Sequence, residues 1–168
     1  MSRQSLKDHL AGSIRVTIAV DPSMPARPIG IYGVATVAES VRSLPGHYHR
    51  FRGGDHFSAM QLAWLATDHA YQSQGLGRLM VGRVIRTFAE VGKEIGIPHL
   101  IVNPARGDYE RLSAYYGSLG FTPYKDDDAM FLPLQSAIDA VDRMERLRAA
   151  QQVPASVAND GEGEHVDV

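Results

Sequence analysis

The chain has 168 residues, 44% of them hydrophobic, and no cysteine. It can therefore bury a full core as one globular domain without disulfides, and it has neither a thiolate metal site nor a cysteine nucleophile. The net charge of −2 conceals a division: Asp160, Glu162, Glu164 and Asp167 lie in the last fifteen residues, which hold no Lys or Arg, and without them the chain is mildly basic at +2. That is weak for a dedicated nucleic-acid binder, so any such binding needs a local patch.

Met1 is followed by polar Ser2, Arg3, Gln4 and Ser5, with no apolar signal core and no run long enough to span a bilayer, which predicts a soluble, cytoplasmic protein. The first ten residues read as a polar arm or short helix. Residues 13–20 alternate as a strand, and residues 29–38, rich in β-branched residues and glycine, form its hairpin partner. Between them Pro22, Pro25 and Pro28 predict a turn across 21–28. Residues 39–56 are polar, basic and punctuated by glycine, and read as a long loop. His47, His49 and His56 have no acidic or cysteine partner at the spacing of a known metal site, so no metal is assigned. Arg42, Arg50 and Arg52 with Tyr48 and Phe51 suit a phosphate backbone and stacked bases, the competing reading being a solvated loop that binds nothing.

Residues 57–67 predict a strand. Leu76, Leu79, Met80, Val84, Ile85, Phe88, Val91 and Ile95 then recur at three- and four-residue spacing, the buried stripe of a helix stopped by Gly96 and Pro98. Residues 97–102 predict a strand parallel to the previous one, reached by a right-handed crossover. After the connection 103–107 comes a helix capped by Asp108, carrying Tyr109, Leu112, Tyr115, Tyr116 and Leu119 and ended by Gly120. Short strands at 121–124 and 129–134 flank the acidic turn 125–128 as a closing hairpin. Ser136 and Asp139 open an amphipathic helix to about Gln151, with Ile138, Val141, Met144 and Leu147 as its apolar edge, packed on the domain or on a second copy. Residues 153–168 read as a disordered acidic tail.

Between the third strand and the long helix stands Gln72-Ser73-Gln74-Gly75-Leu76-Gly77-Arg78. Glycines at i and i+2 let the backbone take φ > 0 and approach a ligand closely. The helix that starts there offers unpaired N–H groups and its positive dipole end, which predicts a bound anion, phosphate above all. The dinucleotide fingerprint fails because Met80 stands where its third glycine belongs. The nucleoside-triphosphate loop fails because Arg78 and Leu79 replace its lysine and hydroxyl.

A Gln-x-x-Gly-x-Gly turn between strand and long helix, followed one strand and helix later by Tyr116-Gly117-Ser118-Leu119-Gly120-Phe121, resembles the cofactor loop and tyrosine helix of the GNAT superfamily of N-acetyltransferases, over most of the chain. The resemblance implies an α/β fold (α+β mixed sheet): a central mixed sheet with splayed parallel strands around the acetyl-CoA site and helices on both faces. It divides the chain into an acetyltransferase domain at 1–135, a C-terminal helix at 136–152 and the tail at 153–168. It further implies that Leu65, Ala66 and Thr67 lie beside the pantetheine arm and that Gln72, Ser73, Gln74, Gly75, Leu76, Gly77 and Arg78 cradle the pyrophosphate. A primary amine attacks directly, strand amides around Ala66 and Thr67 stabilise the carbonyl, and Tyr116 is the general acid for the departing thiolate. Asp68, His69, His56 and Glu39 are candidate bases, none singled out, because an α-amine with a pKa near 7.7 may need only water.

Residues 65–78, preceded by Arg42-Ser43-Leu44-Pro45-Gly46 and followed by Met130-Phe131-Leu132-Pro133-Leu134, look more narrowly like the toxins of type II toxin-antitoxin pairs, which acetylate the amino group of aminoacyl-tRNA and stop translation. This implies aminoacyl-tRNA as acceptor, a cognate antitoxin as partner and a homodimer. Ser73 stands where that group commonly has glycine, and the connection 103–107 is longer than usual. An acetyltransferase of small-molecule or protein amines and a non-catalytic acyl-CoA-binding module share the loop and stay open.

Overall fold

A computed structural model describes residues 7, 9–40, 42, 44–46, 55–125 and 127–152. The expected tail 153–168 and most of the expected loop 39–56 lie outside the described residues. Six strands, β1 (Arg15–Asp21), β2 (Met24–Ser40), β3 (His56–Thr67), β4 (His99–Val102), β5 (Thr122–Pro123) and β6 (Met130–Pro133), form one sheet in the order β1-β2-β3-β4-β6-β5. Among the elements whose bounds are described, the α-helices α1 (Leu76–Ile95), α2 (Tyr109–Gly117) and α3 (Leu134–Gln152) accompany them. The β3–β4 pair is parallel and joined through α1, while the other pairs are antiparallel. This is the mixed sheet the sequence predicts.

Pro25 and Pro28 depart from the expected turn: they lie within β2, and the reversal contracts to Pro22 and Ser23. There the Asp21 carboxylate accepts from the Ser23 amide and hydroxyl, at 2.9 and 2.7 Å. Proline is tolerated because β1 pairing slips on both sides of Val20, and β3 pairs with β2 only from Gly30 onward. Neither ring nitrogen then stands where a regular ladder requires an amide.

Strand alternation divides the core between two faces. Met60, Leu62, Leu100, Val102, Met130 and Leu132 face α1 and α3, against Val81, Val84 and Phe88. Ala59, Ile101 and Phe131 face the other way, with Phe57, Tyr124, Ala129 and Leu44. Leu44 has no exposed surface, although the sequence places it in a solvated loop. The α1 stripe is narrower than its spacing predicts, since Leu79 and Ile95 are 70% and 65% exposed. Leu79 is rotated 100° from buried Met80, off the strip centred on Val84 and Phe88, and Ile95 sits in the last turn before the cap.

Gly96, at φ 72°, ends α1, and the amides of Gly96 and Ile97 both donate to the Gly92 carbonyl, at 3.0 and 3.2 Å, which satisfies the last turn. Helix α3 starts at Leu134, two residues before the expected Ser136, because the Leu134 amide is already held by the Pro98 carbonyl at 2.8 Å. It packs on α1 through Ala137 and Val141, with Arg86 and Glu145 paired across the two helices. Met144 and Leu147, expected on its apolar edge, are 37% and 59% exposed.

The crossing of α1 and α3 depends on Gly92, where an added Cβ would stand 2.7 Å from Leu134 Cδ1 and 3.1 Å from the Ile97 carbonyl oxygen. Gly92→Ala is expected to lower unfolding free energy by about 1–3 kcal/mol in denaturant titration, although alanine is the better helix former. His99 is buried edge-on between Phe57 and Phe131, with ring centroids 5.0 and 5.2 Å away. Burial pushes its imidazole down from 6.5 to about 4. Between those values the unfolded chain takes a proton that the folded one refuses, so stability is present above pH 6.5 and is lost as pH falls toward 4. The loss is on the order of 3 kcal/mol, and His99→Gln should flatten it in denaturant midpoints measured against pH.

Candidate active site

The parallel ladder between β3 and β4 closes with Leu62 opposite Val102 and goes no further, although β3 continues to Thr67. At the same level β3 slips against β2: Trp64 faces Gly33, Leu62 faces Val34, and Ala63 is the extra residue of a bulge. A bulge bends the strand and sharpens its twist. From Ala63 to Thr67 the edge of β3 turned toward β4 therefore has no partner strand.

The segment leading into the glycine turn is tied to the β1–β2 hairpin. Asp68 donates its amide to the Ile29 carbonyl at 2.8 Å. Its carboxylate accepts from the Ala70 amide at 2.9 Å and from Arg27 at 3.0 Å, which together hold it below its ordinary range. Tyr71 donates its hydroxyl to Asp21 at 3.0 Å. Ser73 follows in the left-handed region at φ 59°, a conformation that strains a residue with a Cβ. Gly75 then begins the helix at φ 83°, where glycine is at ease. No side chain caps α1, and its first helical bond runs from the Leu79 amide to the Gly75 carbonyl at 3.0 Å. The amides of Leu76, Gly77 and Arg78 precede that bond and point out of the helix end, with the positive end of the dipole.

The splay and the turn enclose a cavity of about 800 Å³. One wall is Leu62 to Thr67, another is Gln72, Ser73, Gly75, Leu76, Gly77 and Arg78, and the far wall is Asn103, Pro104 and Ala105 with Arg111, Leu112, Tyr115 and Tyr116 of α2. Of the site residues named from the sequence, Gln74 does not line it: its side-chain amide is turned back to the Ala70 carbonyl at 2.8 Å. Asp68, His69, His56 and Glu39 do not line it either. Among the described residues, those that line it include no carboxylate and no imidazole, whereas Arg78 and Arg111 both reach it. Its sign suits an anionic ligand.

Helix α2 brings the two tyrosines to this wall. Asp108 does not cap the helix, contrary to the sequence expectation, because its carboxylate is held by the Arg111 guanidinium, with Nε at 2.7 Å. The Tyr116 backbone carbonyl accepts from the amides of Leu119 and Phe121, at 2.9 and 3.1 Å, and its ring meets Phe121 edge-on at 5.6 Å. Burial raises the Tyr116 phenol above its ordinary 10, with a smaller push from Tyr115. It is therefore a protonated donor at neutral pH. Asn103, Arg111, Leu112 and Tyr115 were not singled out as site residues in the sequence. The repeat of Arg111, Leu112, Tyr115 and Tyr116 along one face of a helix is the signal that would have found most of them.

No family model matches the chain. Among solved structures it is similar to a tyrosine-to-phenylalanine mutant of KacT, at 24% identity over 79% of this chain and 78% of that one, with a TM-score of 0.69. It is also similar to AtaT complexed with acetyl-methionyl-tRNAfMet, at 21% identity over 87% and 82% of the two chains and a TM-score of 0.70. A third is AtaTR bound with AcCoA, at 22% identity over 80% and 78% and a TM-score of 0.67. The chain has the GNAT fold that these proteins share.

Proposed function

We propose that the protein is an acetyl-CoA-dependent N-acetyltransferase of the toxin type, with the amino group of aminoacyl-tRNA as acceptor and a cognate antitoxin as partner. The observation that carries the reading is the joining, in one cavity, of an open β3 edge, an uncapped helix N-terminus beside Arg78, and a protonated Tyr116. The neighbours solved with AcCoA and with acetyl-methionyl-tRNAfMet support the donor and the acceptor class.

In this reading the amides of Leu76, Gly77 and Arg78 hold the pyrophosphate, and the unpaired β3 edge at Leu65, Ala66 and Thr67 receives the pantetheine amides, as a missing strand would. Gln72 and Ser73 line the same cradle, while Gln74 serves it by bracing the turn against Ala70. Acetyl-CoA supplies the activated acetyl group. The amine nitrogen forms the new C–N bond as the C–S bond breaks, the amine proton passes to solvent, and Tyr116 donates its phenolic proton to the leaving sulfur. Among the described residues no carboxylate or imidazole lines the cavity, and an α-amine of pKa near 7.7 needs only water to take its proton. The acetyltransferase domain spans residues 1–135, and α3 is an added element packed against it.

The decisive assay follows CoA thiol release with total charged tRNA, and with a panel of polyamines, aminoglycosides and peptides. Release with charged tRNA alone, falling steeply as salt rises, is the expected result; release with a small amine or peptide overturns the acceptor. Tight acetyl-CoA binding without turnover on any acceptor would make the chain a binding module instead. Tyr116→Phe is expected to lower kcat by about 10²–10⁴-fold while CoA affinity changes little. Because burial raises the phenol, the wild-type rate should show no alkaline decline below pH 10 due to its titration.

A further inference from the structure

Tyr115, the residue before the candidate acid, has no part in the chemistry above, yet it lines the same cavity. Its ring meets Tyr116 edge-on at 5.1 Å and reaches from α2 toward the start of α1. A Cβ added to Gly77 would stand 4.0 Å from Tyr115 Oη, closer than to any other atom outside its own helix and chain neighbours. Arg78 is near enough to oppose the upward push that burial gives the phenol. Among the described residues, Tyr115 Oη is shielded from solvent and makes no hydrogen bond.

A buried hydroxyl without a partner destabilises a fold, so its retention calls for a compensating use. The groups the structure places near it are donors: the start of α1 at Gly77, whose first-turn amides precede the first helical bond, and the Arg78 guanidinium, whose charge acts on the phenol. The missing component is an acceptor, and an anion seated at the helix start supplies oxygens to all of them together.

We propose that Tyr115 is a binding residue of the phosphate cradle, its Oη donating a hydrogen bond to a diphosphate oxygen held over Gly77 at the N-terminus of α1. This rests on the acetyl-CoA reading of the cavity and assigns to it a side-chain donor beside the backbone ones. The two adjacent tyrosines then divide the labour: Tyr115 holds the phosphate end of the donor and Tyr116 serves the thioester end.

The test is Tyr115→Phe in the full chain, with CoA, inorganic pyrophosphate and pantetheine as probes. The unliganded variant should melt no lower than wild type, because an unsatisfied buried group has been removed. Calorimetry should show CoA affinity down about 10–100-fold, the worth of one hydrogen bond to a charged acceptor. Pyrophosphate competing against CoA should lose a similar factor, and pantetheine, which has no phosphate, should lose none. A lower melting point with equal losses for CoA and pantetheine would make Tyr115 a packing residue and overturn the proposal, as would unchanged CoA affinity. If wild type binds neither CoA nor pyrophosphate, the acetyl-CoA reading itself fails and this inference falls with it; binding by wild type with no effect of Tyr115→Phe leaves that reading standing and sinks only the role of Tyr115.

Discussion

The site depends on one loss of pairing. Strand β3 gives up its β4 neighbour after Leu62 and takes a one-residue slip against β2 at Ala63, on opposite edges at the same level. Unpaired strand backbone is costly away from water, so a fold keeps such a gap only where something else holds the strands apart. Below the gap, Met60, Leu62, Leu100 and Val102 are clamped under Val81, Val84 and Phe88 of α1. Above it, β3 is anchored by the β1–β2 hairpin through Asp68, Arg27, Tyr71 and Asp21. The splay is thus bordered by two rigid attachments, and the cradle between them inherits its position from both.

Helix α1 carries both jobs, since its interior residues weld β3 to β4 and its first turn faces the cavity. That explains why its boundaries were legible in the sequence. Gly75, Gly96 and Pro98 are punctuation with a fixed backbone meaning, and the predicted span from Leu76 to Ile95 agrees with the helix observed. Its burial was less legible: spacing marks a stripe but not its width, so Leu79 and Ile95 were included although the sheet covers a narrower arc. The prolines of β2 failed differently. A rule written for regular ladders does not hold where the ladder slips at Val20, and the slip has no signature in residue types.

Long-range partners were the least legible part. Leu44 sits in a polar sequence yet is enclosed by Phe57, Tyr124 and Phe131, which come from three other segments. Tyr116 was found through the Tyr-x-x-x-Gly-Phe pattern of its helix end. The neighbouring Tyr115 carries no pattern of its own, because what distinguishes it is the proximity of Gly77 across the cavity. Local rules therefore recovered the elements and the glycine turn that opens α1, whereas residues whose meaning lies in contact between distant segments required the assembled chain.

Several costs of the fold gather at the cavity. Ser73 is held at φ 59°, the first-turn amides of α1 have no cap, the β3 edge from Ala63 has no partner strand, and Tyr115 Oη has no hydrogen bond. Each destabilises the chain, and under the proposed function a ligand that accepts hydrogen bonds at one end and pairs like a strand along its length satisfies the last three. Away from the cavity, α3 packs tightly over Gly92, and Leu100 and Val102 on one face of the sheet and Ile101 and Phe131 on the other are almost wholly buried. The strain is tolerated because the α1–α3 layer stabilises the sheet independently of the cavity. A cradle whose donors are already aimed need not reorganise when it binds, and that preorganisation is what the unsatisfied groups provide.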